Sequence, residues 1–191
     1  QLSLRDEGSS IQAELCSLLV KRGGGSFLCG WRAELDHDFL QRATREDLYH
    51  AAEALGLSGG KADADELLMQ SGTDFLSLVD VAPKVAVLVC RFRRWATSIG
   101  GARNIFRCLD VHGKGIVSPE DFAAGCRAHG FGEASESELR ELFGLCDVSQ
   151  NTILGPADVV FVDPDPQDHE PKELVSVGRR LFDGIVLLYN F

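Results

Sequence analysis

The sequence has no C-x-x-C pair, a single methionine (Met69), no long apolar run and no excess of positive charge, and each absence removes a class of function. The six cysteines, Cys16, Cys29, Cys90, Cys108, Cys126 and Cys146, stand singly. In a chain of 191 residues with 45% hydrophobic residues, enough for a buried core, this reads as free thiols in a reducing compartment. Cys108 and His112 with Cys126 and His129 make C-x3-H followed by C-x2-H, a spacing that fits no common structural zinc pattern. No segment reaches the roughly 18 apolar residues of a membrane span, and no basic stretch precedes an apolar one as in a secretory leader. The expectation is therefore a soluble intracellular protein without a transmembrane segment, cytoplasmic before an organelle lumen. The 29 acidic and 19 basic residues give a formal charge of −10, which repels nucleic acid and anionic membrane. G-x-S-x-G, P-loop, H-E-x-x-H and paired Cys/His signatures are missing, so no enzyme is expected. The start at Gln1 and the apolar end suggest a processed protein or a piece of a longer one.

Apolar residues recur at intervals of three and four almost throughout, which predicts a mostly helical protein with short polar loops. Ile11, Leu15, Leu18 and Leu19 form a first stripe, ended by Gly23-Gly24-Gly25. Phe27, Leu28, Trp31 and Leu35 form a second, and Leu48, Ala51, Ala52 and Leu55 a third, before Gly56. Ser58 to Asp80 is poorly patterned. Val85, Leu88, Val89, Phe92, Trp95 and Ile99 then line a long helix whose Arg91, Arg93 and Arg94 read as a solvated face or as a contact for an acidic partner. Further stripes follow at Ile105, Phe106 and Leu109, at Phe122 and Cys126, and at Leu139, Leu142, Phe143 and Cys146. Asp163-Pro164-Asp165-Pro166 breaks the pattern. The acidic stretch Asp163 to Glu173 reads as a solvated linker, and Leu174, Val177, Leu181, Ile185 and Leu188 as a last amphipathic helix.

Sliding the sequence on itself by 74 residues places Leu35 to Leu57 on Leu109 to Phe131 without a gap. Leu35/Leu109, Asp36/Asp110, Glu46/Glu120, Asp47/Asp121, Ala54/Ala128 and Gly56/Gly130 are identical, so a helix-loop-helix unit has been used twice. Each loop opens on Asp and closes on Asp eleven residues later.

A 12-residue loop between helices that opens on Asp and closes on an acid resembles the EF-hand, most clearly at Cys108 to Phe122. The resemblance implies oxygen ligands at positions 1, 3, 5, 7 (backbone), 9 and 12, glycine at 6 and an apolar residue at 8. In Asp110 to Asp121 these are Asp110 at 1, Gly115 at 6, Val117 at 8, Ser118 at 9 and Asp121 at 12, but His112 and Lys114 replace the donors at 3 and 5. The loop Asp147 to Asp158 offers Asp147, Ser149, Asn151, the Ile153 carbonyl and Asp158, with Leu154 at 8 and Gly155 at 9. It is the best cation candidate, although Thr152 at 6 requires an unfavourable positive φ. The loop Asp36 to Asp47 keeps Asp36, Asp38, Thr44 and Asp47 at 1, 3, 9 and 12, with Leu40 and Gln41 at 5 and 6. By analogy a fourth loop spans Met69 to Asp80, with Leu76 at 8, Ser77 at 9 and the non-ligand Met69 at 1. Position 12 is always Asp, which gives fewer oxygens than Glu and implies modest affinity for calcium, with magnesium competing. The position-8 residues are expected to meet, Val117 with Leu154 and Ala43 with Leu76.

The resemblance thus implies an all-α protein of two EF-hand pairs joined by a long helix. The expected divisions are an N-terminal helical segment 1–22, a degenerate pair 24–83, a linking helix 84–100, a second pair 101–163, and a linker with amphipathic helix 164–191. The implied function is a calcium-responsive interaction module with weak or partly lost sites, or a metal-free scaffold subunit of a larger assembly. Its implied partner is a protein, either an amphipathic helix or a larger complex. A single methionine argues against the methionine-rich groove of a promiscuous sensor and for a dedicated partner.

Overall fold

A computed structural model of the chain describes residues 4–162, with side chains from residue 11 onward. The expected linker and amphipathic helix at 164–191 lie outside the described residues. The described part is mostly helical, and none of its helices is long and apolar enough to cross a membrane.

Helix α1 (Leu4–Arg22) turns through the glycine triplet into α2 (Phe27–Glu34), whose N-cap Ser26 accepts a hydrogen bond from Cys29 N at 3.1 Å. Strand β1 (Arg42–Thr44) leads into α3 (Arg45–Leu55), opened by a capping box between Thr44 and Asp47 and closed by Gly56 with Leu57 N bonded to Ala52 O at 3.0 Å. Helix α4 (Lys61–Ser71), strand β2 (Phe75–Ser77) and α5 (Leu78–Val81) follow, the last opened by a second capping box, Ser77 with Asp80. Helix α6 (Pro83–Ser98) starts on proline at its first turn, where the missing N–H costs nothing. Helices α7 (Gly101–Leu109), α8 (Pro119–Ala128) and α9 (Glu136–Cys146) and a terminal 3-10 helix (Pro156–Val162) complete the order.

Strands β1 and β2 pair antiparallel with Ala43 opposite Leu76, and Val117 and Leu154 form an isolated antiparallel bridge. Both N–H···O bonds of that bridge are 2.9 Å long. All four of these side chains are buried, so each two-stranded contact feeds its central residue into the core.

Helix α6 does more than connect. Its Leu88, Val89, Phe92, Trp95 and Ala96 are buried in one hydrophobic cluster that runs from Leu15 to Val162. Phe92 sits at its centre, with the rings of Trp95, Phe122 and Phe131 at 5.6, 5.9 and 5.9 Å. Burying such a ring stabilises by about 1.5–3 kcal/mol. A second tie joins the first half of the described residues to the second. Helix α2 packs on α9, and Glu141 of α9 accepts from Ser26 Oγ at 2.9 Å, Phe27 N at 3.3 Å and Leu28 N at 3.0 Å. A carboxylate from one helix thus satisfies the orphan donors of another. The approach is close enough that a Cβ on Gly144 would lie 2.3 Å from Ser26 Oγ.

The expected register of the fourth loop is corrected by the structure. Met69 is inside α4, which continues through Ser71 and stops at Gly72, and its side chain is 81% exposed. Only Gly72, Thr73 and Asp74 separate α4 from β2, so the loop is too short for a twelve-residue cation loop. Its exit half survives: Leu76 pairs across the sheet and Ser77 and Asp80 cap α5. The segment reads as poorly patterned because α4 buries only Ala64, Leu67 and Leu68.

Candidate metal centre

Three loops, 36–47, 110–121 and 147–158, share one backbone conformation. Positions 4 and 6 carry positive φ in each: Phe39 (62°) and Gln41 (56°), Gly113 (63°) and Gly115 (73°), Gln150 (54°) and Thr152 (63°). Glycine adopts this region freely, whereas for the other four it costs roughly 1–2 kcal/mol apiece. The same turn is therefore held whether or not the sequence favours it.

What holds it is the carboxylate at position 1. Asp110 Oδ1 and Oδ2 accept from Lys114 N and Gly115 N, both at 2.8 Å. Asp147 Oδ1 accepts from Asn151 N at 3.1 Å and Oδ2 from Thr152 N at 2.8 Å, and Asp36 Oδ1 accepts from Gln41 N at 2.9 Å. Asp36 and Asp147 are buried, with exposures of 1% and 6%. Burial pushes the Asp36 carboxyl up to about 6; the Gln41 N–H opposes the rise and nearby Asp38 adds to it. The Trp31 indole N–H is close enough to lower it slightly, yet lacks hydrogen-bond geometry, and its Nε1 is buried with no partner.

The remaining candidates differ between loops. In 147–158, Ser149 Oγ bonds to Asp147 Oδ1 at 3.2 Å, Asn151 Oδ1 accepts from Ile153 N at 2.9 Å, and Asp158 Oδ2 accepts from Gly155 N at 2.7 Å. This loop alone offers an all-oxygen donor set from side chains at 1, 3, 5 and 12. In 110–121, His112 Nε2 lies 3.2 Å from Asp121 Oδ1, Ser118 caps α8, and Lys114 brings a cation to position 5. In 36–47, Asp38 Oδ1 accepts from Leu40 N at 3.2 Å and Asp47 Oδ2 from Thr44 N and Oγ1 at 2.8 and 2.6 Å. Asp47, Asp80 and Asp158 thus each direct one oxygen to the backbone N–H three residues earlier, a cap for the exit helix.

Among the described residues no group of three or more His, Cys, Asp and Glu side chains is arranged to hold a metal. That covers the Cys108, His112, Cys126 and His129 pattern. Burial also pushes the Cys126 thiol up to about 12 and the Cys146 thiol upward.

The contacts that clamp loop 147–158 from outside carry no periodic signal in the sequence. Gln150 Nε2 donates to Arg22 O at 2.9 Å, and Arg32 Nη1 to Leu145 O at 3.0 Å. The Arg32 guanidinium also lies 4.9 Å from the Phe39 ring centre and 4.3 Å from that of Phe161, whose rings are 4.0 Å apart. One side chain therefore touches the first loop, the helix entering the last loop and the 3-10 helix leaving it.

No family model matches the chain, and no curated protein matches it.

Proposed function

We propose that the chain is a degenerate EF-hand module that works as a non-enzymatic protein-interaction unit, with loop Asp147–Asp158 as its one cation-responsive element. The observation that carries this reading is the shared loop geometry: an Asp at position 1 accepting the N–H of position 6, and in two of the three loops that of position 5 as well, positive φ at 4 and 6, and antiparallel contact at 8. Asp147, Ser149, Asn151, the Ile153 carbonyl and Asp158 would hold a hard divalent cation, calcium before magnesium. Bound there, the cation would supply positive charge that draws these donors together. The residues themselves set the loop: Asp147 is pre-oriented by two backbone donors, and Asp158 has one oxygen outside its cap.

The loops 36–47 and 110–121 do not fit a cation, because Leu40 and Lys114 occupy position 5 and His112 pairs with Asp121. Their hydrogen bonds close without metal, which favours the second reading, a constitutive scaffold in a larger assembly. Calorimetric titration of calcium into the full chain separates the two. The expected result is one weak site per chain, lost in Asp147→Ala and kept in Asp110→Ala. No heat at millimolar calcium would leave only the scaffold.

A further inference from the structure

Helix α6 contains four cations, Lys84, Arg91, Arg93 and Arg94, and no acid, in a chain of net charge −10. Arg93 and the point where the described chain ends are neighbours. The Arg93 guanidinium lies 5.2 Å from the Phe39 ring centre, and Phe161, tilted against that same ring, is one residue before Val162. On the other flank, Arg91 lies 5.6 Å from the Phe131 ring centre and 3.5 Å from Glu138. Between α6 and the turn after α8 opens a groove of about 420 Å³ lined by Arg91, Arg94, Trp95, Ser98, Phe131 and Glu133. Trp95 and Phe131 are buried beneath it, so the groove combines an aromatic floor with a cationic wall.

We propose that this surface is the docking site for the chain's own acidic segment, residues 163–173. That segment follows Val162 directly and carries Asp163, Asp165, Asp168, Glu170 and Glu173 against Lys172 alone. Its attachment at Val162, next to the Phe161 and Phe39 rings that Arg93 adjoins, and its charge select it over an external partner. Eleven residues span up to about 36 Å, whereas α6 is only about 10–12 Å across, so the segment reaches from the Arg93 flank over the helix to the groove. Pro164, Pro166 and Pro171 narrow the conformations it must give up on docking. Tethering gives it an effective concentration in the millimolar range, so weak charge-assisted contacts suffice. The surface does not depend on the cation reading.

The test uses a labelled peptide of residues 163–173, followed by anisotropy at low salt, with two forms of the full chain. One is unmodified, and in the other the five acids are replaced by Asn or Gln. The peptide is expected to bind the neutralised chain and to bind the unmodified chain at least tenfold more weakly, because the tethered segment already covers the site. Binding to the neutralised chain should fall with added salt and disappear in Arg91→Glu/Arg93→Glu/Arg94→Glu; if that triple variant fails to fold, Arg93→Gln should weaken it several-fold. Equal affinity for both chains would mean an open surface serving an external acidic protein and would overturn the proposal. So would no binding to the neutralised chain.

Discussion

Thr152 is a β-branched residue held at φ 63°, and replacing it with glycine isolates what the loop conformation costs. The left-handed region raises the energy of an L-residue by roughly 1–2 kcal/mol. Against that relief, glycine enlarges the unfolded ensemble by roughly 0.5–1 kcal/mol, and the exposed Thr152 Oγ1 bond to Asn151 O at 2.7 Å is lost. The backbone bond from residue 152 N to Asp147 Oδ2 remains. Thr152→Gly is therefore expected to stabilise the chain by about 0.5–1 kcal/mol, or about 1–4 °C in Tm for this length. Gly115 is the matching position of the preceding loop, at φ 73°, and a Cβ there meets nothing within 4 Å. Gly115→Thr thus carries the conformational cost without a clash, offset in part by the smaller unfolded ensemble, and should lower stability by about 0.5–1 kcal/mol. Urea unfolding in the presence of chelator, with unchanged m, reads both. A destabilised Thr152→Gly or a neutral Gly115→Thr would refute the account of the loops as one strained conformation.

Two further outcomes are expected. Burial raises the Asp36 carboxyl to about 6 in the folded chain, so its contribution to stability is present in full below about pH 4 and lost as pH rises through 6. The loss amounts to roughly 2–3 kcal/mol at most; urea midpoints across pH 4–7 should be flatter in Asp36→Asn, and an unchanged slope would remove Asp36 as the cause. Glu141→Ala strips the acceptor from Ser26 Oγ, Phe27 N and Leu28 N and is expected to cost about 1–3 kcal/mol, with Glu141→Gln losing less. A thermal melt of Glu141→Ala superimposing on the unmodified chain would show that the start of α2 needs no partner.

Much of the helical fold is legible because it is local and repeated. The apolar stripes and the helix stops at Gly56 and Gly130 recur at the 74-residue offset and lie where they were expected, whereas Thr44 and Ser118, read as ligand positions, serve as helix caps. The contacts of Ala43 with Leu76 and Val117 with Leu154 also form as expected, since each of these residues is held at the start of its exit helix whatever the length of loop before it. The shortened fourth loop was hidden because the α4 pattern is weak and the exit half alone, Leu76 to Asp80, looks complete. The ambiguity of the closing Asp was also hidden: the same carboxylate suits a cation ligand and the third residue of a capping box, and at Asp47 and Asp80 the cap is what forms. Glu141, Arg32 and Gln150 act across more than a hundred residues and follow no period, so no single-sequence pattern could single them out.

The Glu141 cap also sets an order of events during synthesis. Ser26 is separated from its carboxylate by 115 residues, a stretch that a ribosome adds in roughly 6–23 s. Throughout that interval the N–H groups of Phe27 and Leu28 lack their Glu141 acceptor, and the apolar side of α2 has no α9 to rest on. The nascent chain therefore carries its first repeat as an unfinished half, open to a chaperone until the second arrives.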